Sequence, residues 1–200
     1  MNNLDTKQYW SERYLENRTG WDLGAPSPPL QNYIDQLTNK SIKILIPGAG
    51  NSYEAEYLLN SGFTNTHVLD IANEPLTTFA ERNPDFPKNQ LHEADFFEFK
   101  GVYDLIIEQT FFCSFPPLPE TRKTYAKKIH ELLKPNGKLV GLWFDIPLTG
   151  DLEKRPFGGD KNEYLDYFSP YFETQTFEEC YNSIPPRQGS ELFGIFKVKK

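Results

Sequence analysis

The chain has 200 residues, with 28 Asp and Glu against 21 Lys and Arg for a formal charge of -7, and at 38% hydrophobic and 24% charged it has the composition of an ordinary soluble globule. One domain, residues 1–200, is the natural expectation at this length, and the acidic balance argues against a nucleic-acid partner, because phosphate binding wants a positive face. No apolar run approaches the ~20 residues of a membrane span and the polar opening MNNLDTKQ has no signal-peptide pattern, so a cytoplasmic protein without a membrane partner is expected.

Residues 6–16, TKQYWSERYLE, put Tyr9, Trp10 and Tyr14 within reach of one helical face, with Trp10 and Tyr14 four apart. Trp21 follows, and the Gly and Pro spacing from Gly20 to Pro29 excludes a long regular element there. A segment this aromatic and irregular, residues 1–38, is either a strap against the core or a lid over a ligand site. Residues 30–37 read as a short helix.

The stretch KILIPGAGNSYEAEYL, residues 43–58, organises the rest. Ile44, Leu45 and Ile46 suit a buried parallel strand, Gly48 and Gly50 mark the turn, and a helix follows over residues 53–61. Strand, glycine turn and helix N-terminus together make a ligand cradle, because glycine lets a backbone approach a ligand closely. The dinucleotide fingerprint would need glycine where Tyr53 stands, and Glu54 in the first helical turn would repel phosphate yet receive a cationic amino group. A second strand-like run from Thr66 ends in Asp70, 20 residues beyond Gly50, placed to accept hydrogen bonds from a ribose diol. An adenosine carrying a cationic amino-acid tail satisfies these features together.

The pattern then alternates: a helix over 74–82, a short strand at 90–93, a strand over 102–107, a helix over 125–133 ending near Lys134-Pro135-Asn136-Gly137, and a strand over 138–144. This is the rhythm of an α/β fold, a mostly parallel sheet with helices on both faces. After residue 145 a helix over 163–168 and strands over 171–181 and 191–198, joined by SIPPRQGSE, predict an antiparallel pair at the sheet's C-terminal end. Asp95 closes the third strand ahead of Phe96 and Phe97, where it can also serve as a turn or capping residue. Glu108 and Gln109, at the exit of the fourth strand, are polar where burial begins and need partners or a ligand. Glu108 reads equally as orienting polar neighbours or as touching a ligand. Cys113 and Cys180 read as buried free thiols, and His67, His92 and His130 as structural residues, because no spacing among them suits a metal.

The glycine turn with Asp70 resembles the class I S-adenosylmethionine-dependent methyltransferases, whose turn is often written G-x-G-x-G; here Ser52 takes the third place. More narrowly, YWSERY…TGWDLG, the glycine turn, DFF, TFFCSFPPLPETR, LLKPNGKL and PRQGSELF, from about residue 9 to 197, resemble the thiopurine S-methyltransferase-like branch with its halide and thiocyanate methyltransferases. The resemblance implies a Rossmann-like class I methyltransferase fold, with S-adenosylmethionine as cofactor and S-adenosylhomocysteine as its product. It implies that Trp10, Tyr14 and Trp21 help enclose the cofactor, that Gly48 and Gly50 hold its methionine end, and that Asp70, with Ile71 beside it, holds the ribose. Asp95 and Phe96 would take the adenine, and Thr110, Phe111 and Phe112 would sit beside the sulfonium. Arg122 and Arg187 resemble the family's pocket arginines. With Glu108 they complete the catalytic candidates, although Arg122 can instead pair with Glu120 and Arg187 with Glu191.

The family's Gly-Pro-Pro-aromatic segment is replaced by Arg155-Pro156-Phe157-Gly158-Gly159, which bears on the shape of the acceptor site. The expected activity is methyl transfer to a small nucleophile: a thiol, sulfide, thiocyanate or halide. The alternatives are a methyltransferase of the same fold acting on a protein, lipid or nucleic acid, a non-catalytic cofactor-binding domain, and a nicotinamide dehydrogenase, which Tyr53 disfavours. No metal is called for, and a monomer is the default.

Overall fold

A computed structural model describes residues 6–152 and 154–199; residues 1–5 of the expected N-terminal strap lie outside the described residues. The chain divides into two compact units, one ending at Phe99 and one beginning at Lys100.

The first unit comprises α1 (Lys7–Leu15), α2 (Pro28–Asp35), β1 (Ile44–Pro47), α3 (Tyr53–Asn60), β2 (Thr66–Asp70), α4 (Asn73–Arg82) and β3 (Leu91–Glu93). Its strands pair in the order β3-β2-β1, all parallel. β1 is buried along its whole length, as a strand covered on both faces must be, which is why it reads as an apolar run rather than an alternation. α2 begins two residues earlier than predicted, because Pro28 needs no hydrogen-bond partner for its nitrogen in a first turn and presets the backbone angle. The Thr6 side chain caps α1 by accepting from the Tyr9 amide, and Lys7 pairs with Glu93 at the end of β3.

The second unit comprises β4 (Tyr103–Gln109), α5 (Pro119–Glu131), β5 (Leu133–Phe144), α6 (Lys161–Phe168), β6 (Phe172–Glu179) and β7 (Glu191–Val198). β4 and β5 are parallel, and β7 runs antiparallel to β5 and to β6, giving the order β4-β5-β7-β6 with the predicted antiparallel C-terminal pair. Two boundaries differ from the sequence expectation. α5 starts at Pro119, six residues early, for the same reason as α2. β5 begins at Leu133, ahead of the strand predicted over 138–144: Leu133 pairs with Tyr103, residues 134–137 loop out with Asn136 at a left-handed φ of 65°, and continuous pairing with β4 resumes at Lys138 opposite Leu105. Gly141 and Gly194 face each other across β5 and β7, and a Cβ on Gly194 would stand 2.7 Å from both Trp143 and Phe196. The absent side chains leave room for Trp143, which packs edge-on to Phe168, Phe177 and Phe196 at the centre of the core.

Among the described residues no helix is long and apolar enough to cross a membrane.

Candidate active site

β1 ends in a turn in which Gly48 and Gly50 adopt left-handed φ values of 57° and 52°, the conformation that glycine enters without penalty. Ser52 is also left-handed, at 59°, and buried; its hydroxyl donates to the Gly50 carbonyl at 3.0 Å, so a polar side chain holds a backbone shape that glycine adopts without strain. Across the turn, Asp70 at the end of β2 accepts the Gly50 amide on Oδ2 and the Ala72 amide on Oδ1, both at 2.9 Å. The carboxylate anticipated for a ribose thus also pins the glycine turn, and each oxygen keeps a lone pair for a further donor. Burial pushes its pKa up to about 6, against the pull of the Ala72, Gly50 and Ile71 amides. Ile71 is half-buried beside it.

The aromatic strap reaches this turn. The Tyr14 hydroxyl lies 3.0 Å, and the Trp21 ring nitrogen 3.9 Å, from the position a Cβ would take on Gly50. Trp21 meets Tyr14 and Trp10 edge-on at 5.7 and 5.5 Å, and all three rings are only half-buried. No α1 side chain is buried, so the aromatics form a rim over the turn rather than a strap into the core. Asp22 and Asn51, neither singled out from the sequence, join strap to turn through a side-chain hydrogen bond, and Arg82 donates to the Asn51 carbonyl at 2.6 Å. Glu54 plays a structural part, accepting the Ser27 amide at 2.9 Å and so tying the start of α2 to α3.

Gly50→Ala is expected to cost about 1–2 kcal/mol of stability, from the strained φ and the crowding of Tyr14, and to fill the cradle besides. Urea denaturation and ligand titration of the variant check both effects.

After β3, Asp95 is exposed and accepts the Phe97 amide at 2.8 Å, which is the turn role the sequence allowed it. Phe96 is buried and meets Phe97 edge-on. His67 and His92, 25 positions apart, stack in parallel with ring nitrogens 2.8 Å apart; burial lowers both pKa values, that of His67 to about 4, so the pair is neutral at neutral pH.

In the second unit, β4 runs two residues further than predicted and carries Glu108 and Gln109 to its carboxyl end. Thr110 then turns with φ 54°, a genuine outlier for a β-branched residue, and such strain persists only where neighbours over-determine it. Glu108 provides the constraint: its Oε1 accepts the amides of Phe111 and Phe112 at 2.8 and 3.0 Å. Among the described residues Oε2 has no hydrogen-bond partner, and the side chain is fully buried. Burial pushes its pKa up to about 7, against the pull of those two amides and with added repulsion from Glu191. Phe111 is half-buried, whereas Phe112 packs against Tyr125, Tyr164 and Phe168 in the core.

Both arginines are buried. Arg122 lies on the inner face of α5, where it donates to Glu163 and to the Gly158 carbonyl, both at 2.6 Å, with its guanidinium 5.0 Å above the Phe112 ring. Glu120, its expected partner, pairs with Lys123 instead. Arg187 donates to Glu191 at 3.1 Å, the pairing that the sequence offered as the alternative, and lies over Phe144 at 5.3 Å. Ser183 donates to the other oxygen of Glu191 at 2.8 Å. Neither Ser183 nor Glu163 carries a sequence signal as a partner.

Asp70 and Glu108 make stability depend on pH in a defined direction. Both carboxyls have folded values above their ordinary ones of 3.8 and 4.5, so the folded chain binds these protons more tightly than the unfolded chain. The contribution is full below about pH 4 and is lost as pH rises through about 6 and 7. The ligand-free protein should lose roughly 2–4 kcal/mol between about pH 5 and pH 8 in urea unfolding, and Asp70→Asn and Glu108→Gln should each flatten the slope.

The family described as Thiopurine S-methyltransferase (TPMT) matches residues 5–200. Thiocyanate methyltransferase 1 of Arabidopsis thaliana is 29% identical over 194 residues, covering 94% of this chain and 83% of its own, and the probable thiol methyltransferase 2 of the same plant is 28% identical over 196 residues, covering 94% and 84%. Among solved structures, the 1,6-didemethyltoxoflavin-N1-methyltransferase of Burkholderia thailandensis, crystallised with S-adenosylhomocysteine, superposes with a TM-score of 0.77 at 16% identity, covering 97% of this chain and 87% of that one. The Rossmann-like fold of the class I methyltransferases predicted from the strand and helix order is therefore the fold of this chain. With a glycine turn pinned by an acidic β2 terminus, and a family match running through both units, the chain belongs to the thiopurine S-methyltransferase family of class I S-adenosylmethionine-dependent methyltransferases.

Proposed function

We propose that this enzyme transfers the methyl group of S-adenosylmethionine to a small nucleophile of the thiol, hydrosulfide, thiocyanate or halide class. The observation that carries the reading is the glycine cradle. Gly50 is held by Asp70 at 2.9 Å, and the Tyr14 hydroxyl stands 3.0 Å from where its Cβ would be, so only glycine lets the turn, the acid and the aromatic rim meet this closely. These residues fit an adenosine with a cationic tail: Asp70 keeps lone pairs for a diol, and the half-buried Trp10, Tyr14 and Trp21 offer π-faces to a sulfonium.

S-adenosylmethionine supplies a methyl group already activated on its sulfonium, which leaves the protein to orient the reactants and exclude water. Gly48 and Gly50 take the methionine end, Asp70 and Ile71 the ribose, and Asp95 and Phe96 the adenine. Asp95 keeps its second carboxylate oxygen for that contact, since the first holds the Phe97 amide. Thr110 and Phe111 flank the sulfonium, with Phe112 fixing their turn from the core. Arg187, its charge partly offset by Glu191, attracts an anionic acceptor, whereas Arg122, paired with Glu163 over the Phe112 ring, acts through Phe112 as a positioning residue. The relatives named as thiocyanate and thiol methyltransferases support the acceptor class.

The test is calorimetric titration with S-adenosylhomocysteine, followed by a methyl-transfer screen over iodide, thiocyanate, sulfide and an aromatic thiol. Binding with turnover on any one of them supports the proposal. Binding without turnover on all four defeats the acceptor class, and absence of binding defeats the cofactor reading.

A further inference from the structure

The carboxyl end of β4 carries one feature that a clamp on the turn does not need. Holding Phe111 and Phe112 occupies only Oε1 of Glu108; Oε2 is buried with no partner among the described residues, and an unmet buried acceptor costs about 1–3 kcal/mol. A carboxyl retained at that cost is a candidate for a ligand contact, and ligands in open α/β sheets bind beyond the carboxyl ends of the strands.

The ionisable surroundings of Glu108 come from five elements. Cys113 lies in the turn after β4, Tyr125 on α5, Tyr164 on α6, Arg187 in the turn before β7, and Glu191 at the start of β7. Glu108 pushes the Cys113, Tyr125 and Tyr164 groups further above their ordinary values, so all three stay protonated around neutral pH. Among these groups the only fixed positive charge is Arg187, and it is paired with Glu191. That pairing leaves Glu108 with the repulsion of Glu191 and no ion pair of its own, so burial and that repulsion push its pKa up to about 7.

We propose that Glu108 Oε2 is the proton acceptor for a protic sulfur substrate, hydrogen sulfide or a short alkyl thiol, and that its protonation state sets the choice between such acceptors and ready-made anions. This deepens the function proposed above and rests on it. The S–H bond breaks with its proton passing to Oε2. The sulfur electron pair forms the new S–CH3 bond as the methyl–sulfonium bond breaks, its electrons remaining on the departing thioether. Thiocyanate and halides bring no proton, so for them an ionised Glu108 is only a repelling charge. The complete burial of the carboxyl favours the smallest acceptors.

Sulfide and thiols ionise by themselves as pH rises, so in the wild-type enzyme the diagnostic profile is that of the anions: with thiocyanate or iodide, kcat/KM should fall as pH increases through about 7. Glu108→Gln keeps an oxygen for the two amides. It should lower kcat/KM for 2-mercaptoethanol at pH 7 by about 100-fold, in line with the usual size of general-base assistance, and should raise thiocyanate transfer at pH 8. A readout independent of turnover is proton uptake when thiocyanate binds the S-adenosylhomocysteine complex, measured by calorimetry in buffers of different ionisation enthalpy; it should be present in wild type and lost in the variant. A thiocyanate profile that stays flat through pH 7, equal losses on both acceptor classes in Glu108→Gln, or thiocyanate binding without proton uptake would each overturn the assignment of Glu108. Failure of every acceptor in wild type would instead overturn the acceptor class on which it rests.

Discussion

Asp70→Ala is expected to lower the affinity for S-adenosylhomocysteine by about 100-fold, near 3 kcal/mol. Two charge-assisted hydrogen bonds to a ribose diol are worth about 1.5 kcal/mol each at the low end of their range. The same substitution frees the Gly50 amide that the carboxylate now holds at 2.9 Å. Asp70→Asn should fall in between, because an amide offers one oxygen where two backbone donors, on Gly50 and Ala72, now each meet one. Diol binding stabilises the ionised carboxyl, so wild-type affinity should drop about tenfold between pH 7.5 and pH 5, where a group with a pKa of about 6 takes up its proton. Asp70→Asn should show no such slope. Unchanged affinity in Asp70→Ala would remove the ribose role and leave Asp70 as a support for the turn alone.

Arg122→Ala is expected to lower the unfolding free energy by about 3–5 kcal/mol, the usual consequence of removing one member of a buried ion pair. The substitution leaves Glu163 and the Gly158 carbonyl without their donor, each at 2.6 Å in the intact protein, and opens a void above Phe112. Against a total stability of order 5–15 kcal/mol this is a large fraction. Arg122→Lys should lose less, since it keeps the charge while giving up the two-pronged geometry. Urea unfolding measures the effect, and it also decides between two roles. An unchanged midpoint with abolished methyl transfer would return Arg122 to the anion-catching part that its place in the sequence suggested.

The proportion of this protein legible in its sequence follows from the range over which each signal acts. Strand and helix identity depend on neighbours a few positions away. The apolar run at residues 44–46, the glycines at 48 and 50 and the alternation after residue 100 are thus enough for the α/β class and the order of elements. The predicted boundary of α2 begins too late because Pro28 falls in the Gly and Pro run read as irregular, and that of α5 because the first turn from Pro119 is polar, whereas a proline at a first helical position starts a helix. The strand predicted from residue 138 is where continuous pairing with β4 begins, whereas the single pairing of Leu133 with Tyr103 across the looped-out residues 134–137 is a tertiary contact that no local pattern shows.

The sequence by itself determined the residue types at the ends of the strands: the glycine turn, the acid at position 70, the strap aromatics, and the Glu-Gln pair at 108 and 109. Only the tertiary structure decided what each one touches. Arg122 and Glu163 are 41 positions apart, Asp22 and Asn51 are 29, and His67 and His92 are 25; no local pattern encodes those distances. Burial, too, is a property of the assembled core. It turned two arginines anticipated at a crevice into internal ion pairs, and it raised Asp70 and Glu108 toward neutrality, because a charge removed from water must find a partner or keep its proton.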